Sequence, residues 1–307
     1  MDRTSTYYKQ VQLLVQLLPL IAEEDCFALK GGTAINLFVL NLPRLSVDID
    51  LVYLPMNDRQ TALNNIKKAL QRITQRINDI FSDAQIVESF KDKSDTLRLV
   101  VTRKGVRVKI ELSPVLRGTV NKPKTLEVCQ KVEDEFGYAE MAVVALPDLY
   151  AGKICASLDR QHPRDFYDVK HLLDHEGFTD DIRQALIIYL ISHPRPIAEL
   201  LTPVLKDFKQ LYVGEFVQME QETVSLEELE LTREQLIRLV NESLTEKEKR
   251  FLLSFKNKLP DWSLLNLQGV EYLPAVNWKL INLKRMDPGK HKTAYEKLQD
   301  VLSVKRE

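Results

Sequence analysis

This 307-residue sequence is most easily placed by what it has little of. Cysteine is scarce: Cys26, Cys129 and Cys155 are odd in number, far apart and each set in an apolar stretch. That excludes a disulfide framework and a paired-cysteine zinc site, and reduced core thiols are expected. Charge of one sign is missing too, since 43 Lys and Arg against 44 Asp and Glu leave a net −1. No global field announces a polyanionic partner, so any such case rests on local charge. Long apolar runs are lacking: residues 11–22 are broken by Gln12, Gln16 and Pro19 and are too short to span a bilayer. Residues 1–10 are polar and do not form a signal peptide. The expectation is a cytoplasmic protein with no membrane partner. There is no repeat or low-complexity tract, and the 44% hydrophobic and 28% charged content excludes disorder as the main state.

What is present reads as an α+β protein. Residues 6–23 carry apolar positions every three or four residues (Val11, Leu14, Leu18, Ile21), which predicts a helix. A short apolar piece, Phe27, Ala28 and Leu29, runs into Lys30, Gly31, Gly32 and Thr33, and a second helical stretch continues to Leu40. Residues 46–53 alternate strictly between polar and apolar, as a half-buried strand does. Residues 58–80 are helical with Lys67, Lys68, Arg72 and Arg76 on a solvated face, and strands are expected at 84–90, 96–103 and 106–112. The dipeptide Lys104, Gly105 joins the last two as a hairpin. Helices follow at 147–160, with Pro147 in the first turn, and from Pro163 to near Gly177. Residues 180–307 are helix-rich; 215–234 hold seven Glu against one Arg, and 279–292 hold five Lys/Arg against one Asp. The expected organisation is a mixed-sheet core domain over 1–180 and a helical C-terminal domain over 181–307, with His193, Pro194, Arg195 and Pro196 as a hinge.

The chemistry concentrates in two short blocks. On a strand, residues two apart share a face, so Asp48 and Asp50 point one way while Val47, Ile49 and Leu51 point into the core. Two adjacent carboxylates repel, and a hard divalent cation removes the conflict, because Mg²⁺ takes carboxylate oxygens together with substrate phosphates and water. Gly31, Gly32 and Thr33 open a helix, where free N–H groups and the positive dipole end suit a phosphate. Glycine there also allows close backbone approach. Arg107, Lys109 and Glu111 share a face in a second strand. Glu111 is the only acid among eight Lys/Arg between residues 98 and 124 (Arg98, Arg103, Lys104, Arg107, Lys109, Arg117, Lys122, Lys124). It is a candidate third metal ligand, and the bases around it suit a triphosphate or a polyanionic acceptor. Pairing of Glu111 with Lys109 or Arg107 is the plainer alternative.

Further along, Lys153 sits on a helix with Ser157 and Arg160 on the same face. Asp165 opens the next helix, where an acid also stabilises the dipole. Arg164 and Asp168, one turn apart, read as a local ion pair. His171 and His175 share the spacing of a metal pair, but the residues around them read as a polar helix end. The basic stretch 279–292 is read as a solvated face before it is read as an RNA contact.

The Gly-Gly-Thr turn, the Arg44-x-Ser46-x-Asp48-x-Asp50-Leu51 strand and the later Lys153, Arg160 and Arg164-Asp165-x-x-Asp168 resemble the AbiEii/MenT nucleotidyltransferases, toxins of type IV toxin–antitoxin and abortive-infection systems. The resemblance covers about residues 25–175. It implies a nucleotidyltransferase-type mixed sheet with flanking helices, and Mg²⁺ or Mn²⁺ held by Asp48 and Asp50. It assigns Gly31, Gly32, Thr33, Arg44 and Ser46 to NTP binding, and Lys153 and Asp165 to the active site. It also implies nucleotide transfer to an acceptor hydroxyl, in some members at the 3′ end of tRNA, and a cognate antitoxin. Thr33 stands where the wider superfamily often has Ser, and the hydroxyl is kept. A protein hydroxyl is the alternative acceptor. A nucleotide-sensing module without turnover is a rival of another class, disfavoured by the intact acid pair. A DxD glycosyltransferase lacks its nucleotide-sugar domain.

Overall fold

The computed structural model describes residues 2–90 and 97–303. Two compact units emerge: Met1–Ala145 with Gly214–Thr223, and Leu146–Val213 with Val224–Glu307. The division expected from sequence lies at residue 180, and these two units part at Ala145. Within the second unit, Leu146–Arg160 packs with Pro163–His175 and Asp180–Ser192, and Pro163–His175 also packs with Leu226–Ser243.

The first unit begins with α1 (Thr6–Ala22), whose Ser5 N-cap accepts from the Tyr8 N–H and whose Val11, Leu14, Leu18 and Ile21 are fully buried. β1 (Phe27–Lys30) leads into the single turn α2 (Gly31–Ala34), which widens into a π-helical turn over Ile35–Val39. Then come β2 (Asp48–Tyr53) and α3 (Arg59–Ile80), capped by Asp58 and burying Ile66, Leu70, Ile73 and Ile77. β3 (Gln85–Glu88), β4 (Leu97–Arg103) and β5 (Val106–Leu112) agree with the expected strands, although Thr96 at the edge of one lies outside the described residues. Lys104 and Gly105 have φ of 49° and 77°, as a two-residue hairpin turn requires. β6 (Lys124–Glu127), α4 (Gln130–Phe136) and β7 (Glu140–Val143) complete the unit and were not evident from periodicity.

The seven strands form one mixed sheet in the order β3-β4-β5-β2-β1-β7-β6. β2 sits centrally, antiparallel to β1 and parallel to β5. Ile49, Leu51, Ile110 and Leu99 are fully buried on one side, and α1 and α3 pack on this sheet. Each such side chain withdrawn from water is worth roughly 1.5–3 kcal/mol, which fixes the register of β2 and so the direction in which its acids point.

The second unit is helical. α5 (Leu146–Arg160) and α6 (Pro163–His175) pack together, and α7 (Asp180–Ser192) packs on α5. α8 (Ile197–Leu201) and the turn α9 (Lys209–Leu211) follow. α10 (Leu226–Ser243) and α11 (Glu246–Lys256) each start with a capping box, Ser225 with Glu228 and Thr245 with Glu248. α12 (Pro274–Arg285) and α13 (Pro288–Ser303) are the last elements of the described residues. Among the described residues no helix is long and apolar enough to cross a membrane.

Candidate functional site

Strand register determines which side chains meet on the polar side of the sheet. Asp50 is paired with Lys30 on β1 and with Glu111 on β5, and Glu111 with Arg98 on β4. Paired residues present their side chains to the same face, so Lys30, Asp50, Glu111 and Arg98 form one row across four strands. Two residues toward the start of β2, Asp48 is level with the exposed Lys109. Both aspartates are half-buried. Lys30 and Lys109 are in the sequence blocks that drew attention, but their level with the acids depends on which strands pair.

The glycine turn lies against these acids. Gly31 has φ +74°, a left-handed conformation that costs any residue with a Cβ roughly 1–2 kcal/mol. A Cβ placed on it would come within 2.5 Å of Asp50 Oδ2, so this glycine is required by both backbone and space. A Cβ on Gly32 would lie 2.8 Å from Arg44 Nη2 and 3.0 Å from Ser46 Oγ. Gly31, Gly32, Arg44, Ser46, Asp48 and Asp50 are therefore one cluster.

Thr33 has a role that the sequence did not suggest. Its buried hydroxyl donates to the Asp48 carbonyl at 2.5 Å and lies 3.0 Å from Ser46 Oγ. That bond clasps the helix turn to the first residue of β2. Arg44 is only 2% exposed, and its Nη1 donates to the Leu45 carbonyl at 2.9 Å.

Glu111, the candidate third metal ligand, has an ion-pair partner. It is at the level of Asp50 as the pattern required, but Arg98 Nε holds its carboxylate at 2.5 Å, across the antiparallel β4–β5 pair. No three Asp, Glu, His or Cys side chains converge for a metal among the described residues. The donor set this face offers is the Asp48 and Asp50 pair, half-open to solvent and bordered by a side-chain-free turn. That set fits Mg²⁺, which takes one or two carboxylates and completes its shell with water and substrate phosphate.

The basic window 98–124 is thinner than it looked. Arg98 is taken by Glu111, and Arg103 by Asp83 at 2.7 Å and the Phe81 ring at 4.2 Å. Arg117 is buried against the carbonyls of Asn57 and Asp58.

In the second unit, Lys153 and Asp165 meet as part of a closed ionic cluster. Lys153 Nζ lies 2.9 Å from Asp165 Oδ1 and 2.8 Å from Asp168 Oδ2, and all three side chains are at most 5% exposed. Arg160 grips Asp165 with two bonds of 2.5 and 2.8 Å. Two acids and two bases meet here, and Lys153 is the counter-ion shared by the buried carboxylates of Asp165 and Asp168. Asp168 also meets Lys153, fifteen residues earlier in sequence. Burial raises the Asp165 carboxyl, but Lys153 and Arg160 outweigh it and hold the group well below the usual carboxylate range. Ser157 bonds back to the Lys153 carbonyl at 2.9 Å. His171 and His175 stack at 5.9 Å. In the basic stretch, Lys279 is withdrawn: its Nζ donates to the carbonyls of His193 and Pro194 at 2.5 and 3.0 Å, and burial lowers it to about 8.

Comparison of the sequence with curated proteins gives no match. Among solved structures the chain is similar to MenT4, a nucleotidyltransferase toxin from Mycobacterium tuberculosis H37Rv, at 15% identity and a TM-score of 0.60, over 99% of this chain and 96% of that one. At that identity the likeness is one of fold, an α+β arrangement with a mixed sheet and flanking helices. The model of the family described as nucleotidyl transferase AbiEii toxin, type IV toxin–antitoxin system, matches residues 12–282. That span takes in the glycine turn, the acid strand and the Lys153 cluster, and the chain belongs to the AbiEii family of nucleotidyltransferase toxins.

Proposed function

We propose that this nucleotidyltransferase transfers a nucleoside monophosphate from an NTP, bound as its Mg²⁺ complex, to the 3′-terminal hydroxyl of an RNA, tRNA being the favoured acceptor. The observation that carries the reading is the cluster in which half-open Asp48 and Asp50 face a glycine turn too tight for any Cβ beside Asp50. The acceptor hydroxyl gives its proton to solvent as its oxygen attacks the α-phosphorus, the bond to the β-phosphate breaks, and pyrophosphate leaves. Mg²⁺ held by Asp48 and Asp50 would supply charge neutralisation and alignment of the phosphates. The N–H groups of the Gly31/Gly32 turn bind phosphate oxygens, with the buried Arg44 behind the turn adding positive charge. Thr33 and Ser46 keep the turn and the acid strand in register. Lys109, exposed and level with Asp48, is placed to meet an acceptor phosphate. A cognate antitoxin belongs to the same reading, through the family.

The test is labelling of a total RNA pool and of a protein lysate with each of four α-labelled NTPs, by wild type and Asp48→Ala. Wild type is expected to label RNA 3′ ends, and the variant to fall by about 10³-fold, the scale of losing the group that neutralises developing charge. Label on protein would replace the RNA acceptor. Equal labelling by both enzymes would end the assignment of the site.

A further inference from the structure

Between Val213 and Val224 of the helical unit, the chain returns to the first unit as the segment Gly214–Thr223. Two buried side chains anchor it, Phe216 at 0% and Met219 at 1% exposure. Its backbone bonds to the stretch just before the acid strand: the Leu45 N–H donates to the Met219 carbonyl at 2.8 Å, and the Gln221 N–H to the Pro43 carbonyl at 2.9 Å. These bonds set Glu220 in antiparallel register with Arg44. Residues so paired present side chains on one face, and a guanidinium as buried as Arg44 needs a compensating charge. On its other side, Arg44 Nη2 occupies the space into which a Cβ on Gly32 would project. The contacts thus run from the returning segment to Arg44, and from Arg44 to the glycine turn.

We propose that Gly214–Thr223 is a positioning strap for the nucleotide site, in which Glu220, acting through Arg44, holds the Gly31/Gly32 turn at its working distance from Asp48 and Asp50. The inference rests on the reading above that this turn binds the NTP phosphates. Glu220 touches no reacting atom and is a positioning residue. Loosening the turn weakens phosphate binding equally before and in the transition state, so KM for the NTP rises while kcat is kept.

The experiment is steady-state pyrophosphate release by the full-length protein with total RNA as acceptor, as wild type, Glu220→Gln, Gln221→Pro and Asp48→Asn, with Tm recorded for each. Glu220→Gln is isosteric at a half-buried position and is expected to raise KM by about tenfold, the scale of one charge-assisted hydrogen bond, with kcat within about twofold. Gln221→Pro, which deletes the N–H given to Pro43, is expected to shift KM the same way; should it not fold, Glu220→Gln alone carries the test. An unchanged KM in Glu220→Gln, with or without a fall in Tm, overturns the strap while an inactive Asp48→Asn leaves the site standing. Full activity in Asp48→Asn removes the site and the strap together.

Discussion

The chain holds two groups of paired acids, and they differ in what has been done with their charge. Asp165 and Asp168 are fully buried and closed by Lys153, with Arg160 adding a two-bond grip on Asp165. Asp48 and Asp50 stand half-open at the start of a central strand, beside a turn from which side chains are excluded. Acids closed by bases hold helices together and resist change of ligand. Acids left at a sheet end beside bare backbone are poised for a cation and its phosphates. The family resemblance assigns Asp48, Asp50, Lys153 and Asp165 to the active site; the structure closes Lys153 and Asp165 on each other and leaves Asp48 and Asp50 half-buried.

The separation can be broken most sharply at Lys153. Lys153→Met leaves two buried carboxylates without their shared cation, and the expected cost is about 3 kcal/mol, read from urea unfolding of the second unit. If stability is kept and only transfer is lost, Lys153 acts on substrate and the contrast fails. Gly31→Ala attacks the other group. It forces a Cβ against Asp50 and is expected to lower transfer by roughly 10²-fold, as sub-ångström misplacement of reacting groups does. Undiminished transfer by this variant would show that the turn can yield.

Smaller effects sharpen the picture. Thr33→Val removes the donor to the Asp48 carbonyl and should cost about 1 kcal/mol in stability, with a modest loss of activity. A change in neither would deny the clasp. The smallest expected effect near neutral pH is the acid response of the closed cluster. The folded Asp165 carboxyl is held below its ordinary value, so its stabilisation is fully present above the usual carboxylate range and is lost as pH falls below it. Urea midpoints at pH 7 and pH 5 should therefore agree closely and then fall toward pH 3. Asp165→Asn should flatten that acid limb, and an unchanged limb would show that another group causes it.

Much of this was legible in the chain wherever signals are local. The alternation around Asp48 and Asp50, the Lys104/Gly105 turn and the periodicity of α1, α3 and α6 each depend on a few neighbouring residues, and each element is present. What could not be read depends on distant pairing. The parallel match of β2 with β5, which puts Lys109 beside Asp48, is a property of the assembled sheet. β6 and β7 are four residues each, too short to show a period. The acid-rich run 215–234 hid a segment that leaves the helical unit, because Phe216 and Met219 look like isolated apolar residues until their burial is seen. Glu111 shows the limit from the other side: its level was foreseen, but Arg98, thirteen residues earlier, decided its partner.

The most direct measurement of the central claim is magnesium-dependent pyrophosphate release from NTP, with total RNA as acceptor, by the Asp48→Asn/Asp50→Asn double variant, compared with wild type and checked for an unaltered fold by circular dichroism. The account predicts a folded protein whose release falls to background at every magnesium concentration. Release at the wild-type rate, with the same dependence on magnesium, would place the reaction elsewhere in the molecule.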